Sequence, residues 1–197
     1  MKKRRYTLRQ RAESQEETRR RIVDAAMHLH EELGPRATSI SAIAERAGVQ
    51  RLTVYRHFPD EMAVFQACTS HWQSLNPSPD SAAWAEIADP LVRAEAALLA
   101  FYRYYRGAER MLEVSYRDEA DVPALHEPMK AFRSYVSKIA NGVLKSFGGE
   151  PQRALRATVH HAFAFSTWAS LKRLGIDDEA MAALALRWIE GAAKKRA

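Results

Sequence analysis

Thr38-Ser39-Ile40-Ser41-Ala42-Ile43-Ala44-Glu45-Arg46-Ala47-Gly48-Val49-Gln50-Arg51-Leu52-Thr53-Val54-Tyr55-Arg56-His57-Phe58 is the stretch whose periodicity decides the fold. Ile40, Ile43, Ala44 and Ala47 recur at three and four, which is one face of a short helix, and Gly48 ends it. Thr38 is expected as the N-cap, where a hydroxyl satisfies one of the orphan amide protons. A second short helix over 50–58 turns Val54 and Phe58 one way and leaves Thr53, Tyr55, Arg56 and His57 on the other. Two short helices joined at a glycine, the second with a polar outer face, form a helix-turn-helix pattern, whose second helix enters the DNA major groove.

Outward from this stretch the chain reads as helix throughout. Ile22, Ala25, Ala26, Leu29 and Leu33 write one apolar stripe, so a first helix is expected over 16–33, stopped by Gly34-Pro35. Pro59-Asp60 breaks the chain, and Asp60 caps a longer helix carrying Met62, Val64, Phe65, Cys68 and Trp72. The loop Asn76-Pro77-Ser78-Pro79-Asp80 marks a module boundary. Beyond residue 84 one segment is expected from Leu91 to Arg106, ending at Gly107, and the next from Ala108 to about Ala120. Pro123 or Pro128 opens a segment that ends at Phe147-Gly148-Gly149. Pro151 lies in the first turn of another that ends near Leu174-Gly175, and Asp177-Asp178 caps a last helix to Lys195. No run of β-branched residues alternates at period two, so the fold class is all-α.

Charge is unevenly placed. Residues 1–60 hold 13 Lys or Arg against 8 acids, a surplus of five out of a net charge of +6, so a polyanionic partner would meet the N-terminal third. Apolar residues at 47% and charged residues at 27% are ordinary for a globular chain and exclude a disordered or fibrous one. Cys68 is the only cysteine, which excludes an intrachain disulfide and fits a reducing, cytoplasmic setting. The basic opening residues are followed by no apolar segment of export-signal type, and no stretch is long enough to span a membrane, so no membrane partner is expected.

Gly34-Pro35-Arg36-Ala37-Thr38-Ser39 through Gly48-Val49, then Leu52-Thr53-Val54-Tyr55-Arg56-His57-Phe58, resembles the signature of the TetR/AcrR family of transcriptional regulators, over roughly residues 16–65. The resemblance implies an N-terminal three-helix helix-turn-helix DNA-binding domain (16–76, after a basic extension at 1–15) and a C-terminal helical ligand-binding and dimerisation domain (77–197). It implies a homodimeric repressor that binds double-stranded operator DNA and is released by a small-molecule effector. Chemistry agrees at the level of side chains. Thr38 and Ser39 at a helix N-terminus suit a phosphate, and Tyr55 and His57 reach phosphates from the second helix. Thr53 suits a thymine methyl or a phosphate, while Gln50, Arg51, Leu52 and Arg56 complete the exposed surface, with Arg51 the expected guanine contact.

Three positions depart from the family pattern. Gln50 stands where a small polar residue is common, Leu52 where a glycine is common, and Glu61 where a lysine is common. A carboxylate at 61 repels the DNA backbone. The tail Met1 to Arg11 holds six basic residues and no acid, which suits either an arm along DNA or a solvated extension.

The C-terminal part is rich in aromatic residues, most of them core. By resemblance, Phe101, Tyr105, Tyr135, His161 and Trp168 are the candidates to line an effector cavity. His160 and His161 are adjacent and point about 100° apart on a helix, so they do not share a metal, and no metal or other cofactor is expected. Ala157, Ala164, Ala169, Ala182, Ala183, Ala185, Leu186 and Ile189 are small or apolar, and the resemblance places them in a dimer four-helix bundle. A helical enzyme is the alternative of a different class, but the chain shows no Gly-rich phosphate loop, no Gly-x-Ser-x-Gly elbow and no His-Glu-x-x-His. An effector-independent nucleic-acid binder is the other, and it leaves about 120 residues of C-terminal helix without a purpose.

Overall fold

The structure, a computed structural model, describes residues 2–194, with side chains from Gln10 onward. Among the described residues there are helices and 3₁₀ turns and no strand. The helices are α1 (Lys2–Leu33), α2 (Ile40–Arg46), α3 (Arg51–His57), α4 (Glu61–Leu75), α5 (Ala82–Ala85), α6 (Pro90–Asp118), α7 (His126–Ser146), α8 (Arg153–Ala162), α9 (Phe165–Lys172) and α10 (Asp178–Ala193). Single 3₁₀ turns lie at Pro35–Ala37 and Pro123–Leu125.

Two compact units result. One comprises Met1–Pro77 with Arg110–Met129, the other Ser78–Glu109 with Lys130–Ala197. The division placed at 76/77 from sequence does not anticipate that Arg110–Met129 join the N-terminal unit, because α6 and α7 each pass from one unit into the other without a break.

In the N-terminal unit Ile22, Ala26 and Leu29 of α1 pack with Ile40 and Ile43 of α2, Val54 and Phe58 at α3, and Val64 and Cys68 of α4, all buried. These are the periodic positions of the sequence, and burying each Ile, Leu, Val or Phe side chain among them contributes about 1.5–3 kcal/mol. Phe65 forms a second cluster with Leu125 and Met129. Helix α1 begins at Lys2 rather than at 16. Residues 2–15 contain neither Gly nor Pro and are mostly straight-chain helix formers, so propensity extends the helix where no apolar stripe exists to signal it. The expected basic arm thus belongs to α1, and its side chains up to residue 9 lie outside the described residues.

The C-terminal unit is built around an aromatic cluster. Phe101, Tyr102 and Tyr105 of α6, Phe163, and Trp168 of α9 are all 0% exposed. Phe101 makes edge contacts to Tyr105 and Phe163 and stacks on Tyr135, with ring centroids 5.8, 5.5 and 6.2 Å apart. Asp178, buried at the start of α10, accepts from Arg106 Nε at 2.6 Å and from Trp168 Nε1 at 3.1 Å.

Three segment boundaries differ from expectation. Gly107 does not end a helix, because α6 runs through it: Ala94, Leu98, Phe101, Tyr105, Ala108 and Leu112 keep one buried stripe across the glycine. The segment after Pro151 is two helices, since α8 ends at Ala162 and Ala164 is extended. There the carbonyls of Ala162 and Phe163 accept from Tyr102 and Tyr105 hydroxyls at 2.8 and 2.7 Å, so side chains satisfy the backbone where the helix gives way. Short α5, between the loop expected at 76–80 and the segment expected from Leu91, buries Trp84.

Candidate nucleic-acid interface

Helix α2 is capped by Ser39, whose Oγ accepts from the Ala42 amide at 3.2 Å. Thr38, the expected cap, instead donates its hydroxyl to the Gly34 carbonyl at 2.9 Å, because the 3₁₀ turn at Pro35–Ala37 sets the helix start one residue later. Gly48, at φ 65°, makes the turn, and Arg21 of α1 donates to the Ala47 carbonyl at 3.1 Å, which caps the end of α2. Arg46 closes the other side with a two-pronged pair to Glu32 at 2.6 and 2.7 Å. This hydrogen bonding holds the Glu32 carboxyl below the usual carboxylate range.

Helix α3 buries Val54 and is left with an exposed outer face of Arg51, Leu52, Tyr55 and Arg56, continued by Gln50. Thr53 and His57 are half-buried on its flanks. Leu52 is 63% exposed, a large apolar side chain placed where contact with a thymine methyl would cover it. Arg51 donates from Nη2 to the Tyr55 hydroxyl at 3.3 Å, and its guanidinium lies 5.7 Å from that ring, one helical turn on. Arg19 of α1 sits 4.7 Å over the Phe58 ring and brings a further cation to the end of α3. Glu61, the first residue of α4, is exposed and its charge acts on Arg51. At the N-terminus of α4 it is favoured by the helix dipole.

The nine residues expected to meet DNA therefore fall on two adjacent elements: Thr38 and Ser39 at the entry to α2, and Gln50, Arg51, Leu52, Thr53, Tyr55, Arg56 and His57 along α3. The five expected effector residues divide. Phe101, Tyr105, Tyr135 and Trp168 share the aromatic cluster, with Tyr135 half-buried and its hydroxyl donated to the Pro79 carbonyl. His161 is exposed and lies apart against Trp188, with centroids 6.4 Å away, while His160 bonds Asn141 at 3.2 Å, so the two histidines diverge.

Sequence reasoning missed the clasp behind the helix-turn-helix. Asp118, 1% exposed, accepts from the Arg36 amide at 3.1 Å and from Arg117 Nε at 2.7 Å. Arg117 also donates to the Leu33 carbonyl at 2.8 Å, and Arg36 pairs with Asp121 at 2.7 Å. The Arg117 hydrogen bond holds the Asp118 carboxyl below its ordinary range. Partners 82 residues apart leave no local signal.

His30 and Cys68 form a second unforeseen pair, with Nδ1 3.4 Å from Sγ. Burial pushes the imidazole from an ordinary value near 6.5 down to about 4. Between these values the unfolded chain binds the proton and the folded one does not. Stability from this group is therefore present above pH 6.5 and is lost as pH falls toward 4, by up to about 1.4 kcal/mol per pH unit. The urea midpoint should drop between pH 7 and 5, with a flatter profile in His30→Gln; equal slopes would disprove the assignment.

A chain of packed helices that presents such a face on its third helix belongs to the helix-turn-helix class of proteins. Comparison with known proteins narrows this. Residues 22–68 match the model of the bacterial regulatory proteins of the tetR family. The chain is 40% identical over 57 residues to an uncharacterized HTH-type transcriptional regulator, YvkB, of Bacillus subtilis, a match over 29% of this chain and 30% of that one. It thus spans about a third of the length of the curated relatives it matches. Among solved structures it is similar to a TetR-like transcriptional regulator from Rhodococcus sp. RHA1, with TM-score 0.65, 20% identity, and 90% and 97% of the two chains covered. It is also similar to NalD, the secondary repressor of the MexAB-OprM multidrug efflux pump in Pseudomonas aeruginosa, with TM-score 0.57, 23% identity, and 91% and 97% covered. Residues 22–68 are thus similar in sequence to the tetR family of bacterial regulatory proteins, and nine-tenths of the chain shares the fold of TetR-like regulators.

Proposed function

We propose that this chain is a cytoplasmic, homodimeric transcriptional repressor, not an enzyme, that binds a roughly palindromic operator through α3 and is released by a small-molecule effector. The observation that carries this is the exposed face of α3, on which Arg51 is held against Tyr55 beside Gln50, Leu52 and Arg56, in a third of the chain with five surplus positive charges. The family match and the naming of NalD as a repressor support it.

A two-fold dimer offers two copies of α3, and the operator half-sites repeat at their spacing. Helices α8 and α10 are the proposed interface. Ala169, Ala182, Ala185 and Ile189 are used up in the unit's own core, while Ala157, Ala164, Ala183 and Leu186 keep exposed surface for a partner. An effector admitted among Phe101, Tyr105, Tyr135 and Trp168 would favour a conformer whose two α3 helices no longer match the operator, a shift in population with couplings of about 1–3 kcal/mol.

Selection of bound fragments from random duplex DNA, with purified protein at about 150 mM salt to damp non-specific attraction, tests the proposal. An enriched palindrome is expected. Binding without an enriched motif, vanishing as salt rises, would make the chain a general nucleic-acid binder, and no DNA binding at any salt would overturn the proposal altogether.

A further inference from the structure

The N-terminal unit holds a half-open cavity of about 280 Å³, to which Thr38 is the one residue of the proposed DNA-facing set that contributes. Its walls are mostly apolar, from Ile40 and Ile43 of α2, Val64 and Phe65 of α4, and Val122 and Ala124 of the turn after α6, with Thr38 and Glu61 adding polar groups. The volume lies just below the range of drug-sized pockets, which begins at about 300 Å³, and suits a single-ring molecule. One buried polar side chain, His30, lines it at 7% exposure.

The tautomer of His30 follows from its partner. Nδ1 faces the Cys68 thiol, and burial pushes that thiol up to about 12, so it keeps its proton. Thiol sulfur is a weak acceptor and imidazole nitrogen a good one, so S–H donates to Nδ1 and the ring proton sits on Nε2. Among the described residues no buried side-chain nitrogen or oxygen lacks a partner, and Cys68 is the one side-chain hydrogen-bond partner of His30, so we place Nε2 toward the cavity that His30 lines. A single N–H donor thus stands in an apolar chamber, with Glu61 at its edge disfavouring anions.

From this geometry we propose that the cavity is a second small-molecule site, within the DNA-binding unit and separate from the aromatic cluster. Its occupant is a neutral, one-ring apolar molecule carrying one hydrogen-bond acceptor for His30 Nε2. Such an occupant touches α2, α4 and the 122–124 segment together, and so bears on the helix that positions α3.

Acetophenone and α-methylstyrene, which share a shape and differ in C=O against C=CH₂, are the probes. Binding to the full-length protein is followed by ligand-observed saturation transfer and by the His30 ring ¹⁵N shift, with no DNA present, so the outcome is independent of the repressor proposal. Acetophenone should bind about three- to tenfold more tightly than α-methylstyrene, the worth of one neutral hydrogen bond, and should move the Nε2 resonance. Ala124→Phe should fill the chamber and abolish binding. No acetophenone binding, equal affinity for the two probes, or binding that survives in folded Ala124→Phe would each overturn the site. If Ala124→Phe does not fold, the wild-type ring shift decides, and bound acetophenone that leaves Nε2 unmoved refutes it.

Discussion

Gly34→Ala is expected to lower the melting temperature by roughly 5–20 °C, read by circular dichroism at 222 nm. Gly34 has φ 90° and ψ 155°, a region essentially reserved for glycine, where a side chain costs about 1–3 kcal/mol. A Cβ there would also fall far inside van der Waals contact with Arg117 Nη2 and Asp118 Oδ2. The arginine tip has room to move, but the buried carboxylate does not, because it holds the Arg36 amide and Arg117 Nε at once. Loosening those bonds costs about another 1–3 kcal/mol. Gly107→Ala is the control: it lies inside α6 with nothing within 4 Å of an added Cβ, and should raise the melting temperature by about 1–4 °C. If both variants melt alike, the Asp118 clasp does not constrain the turn.

Arg51→Ala should relax base preference at one operator position by about five- to 150-fold, measured as the affinity ratio between the selected site and its single-base variant. Arg51 lies in the first turn of α3, exposed, with Tyr55 holding its guanidinium. Tyr55→Phe removes the hydroxyl that accepts from Arg51 and that the proposed DNA-binding role assigns to a phosphate. It should weaken binding to all sequences by a similar factor. Uniform loss from Arg51→Ala, with a salt slope shallower by about one, would make Arg51 a phosphate contact instead.

What could be read from the sequence was what local periodicity encodes. Ile40, Ile43, Val54 and Phe58 repeat at helical spacing and are buried as that spacing requires, so α2, α3 and the outward placement of Tyr55 and Arg56 were legible. The cap at Asp60 was legible for the same reason, since its Oδ1 accepts from Ala63, three residues on. Gly107 misled because a glycine's cost of about 1 kcal/mol inside a helix is small beside a continuous buried stripe. The break at Phe163-Ala164 has no glycine or proline to announce it, and the hydroxyls that satisfy it come from Tyr102 and Tyr105, about 60 residues earlier. The His30 cavity was hidden likewise, because its wall at 122–124 meets α2 and α4 only once the chain has folded.

Because α6 and α7 each belong to both units, the helix-turn-helix part cannot be lifted out at Pro77. A hybrid regulator that grafts residues 1–77 onto a foreign sensor would leave behind Leu125 and Met129, which cover Phe65, and Asp118, which pins the Arg36 amide. Exchange of parts between such proteins, by engineers or by recombination, has to carry 110–129 with the helix-turn-helix, so the transferable cassette is two pieces of chain rather than one.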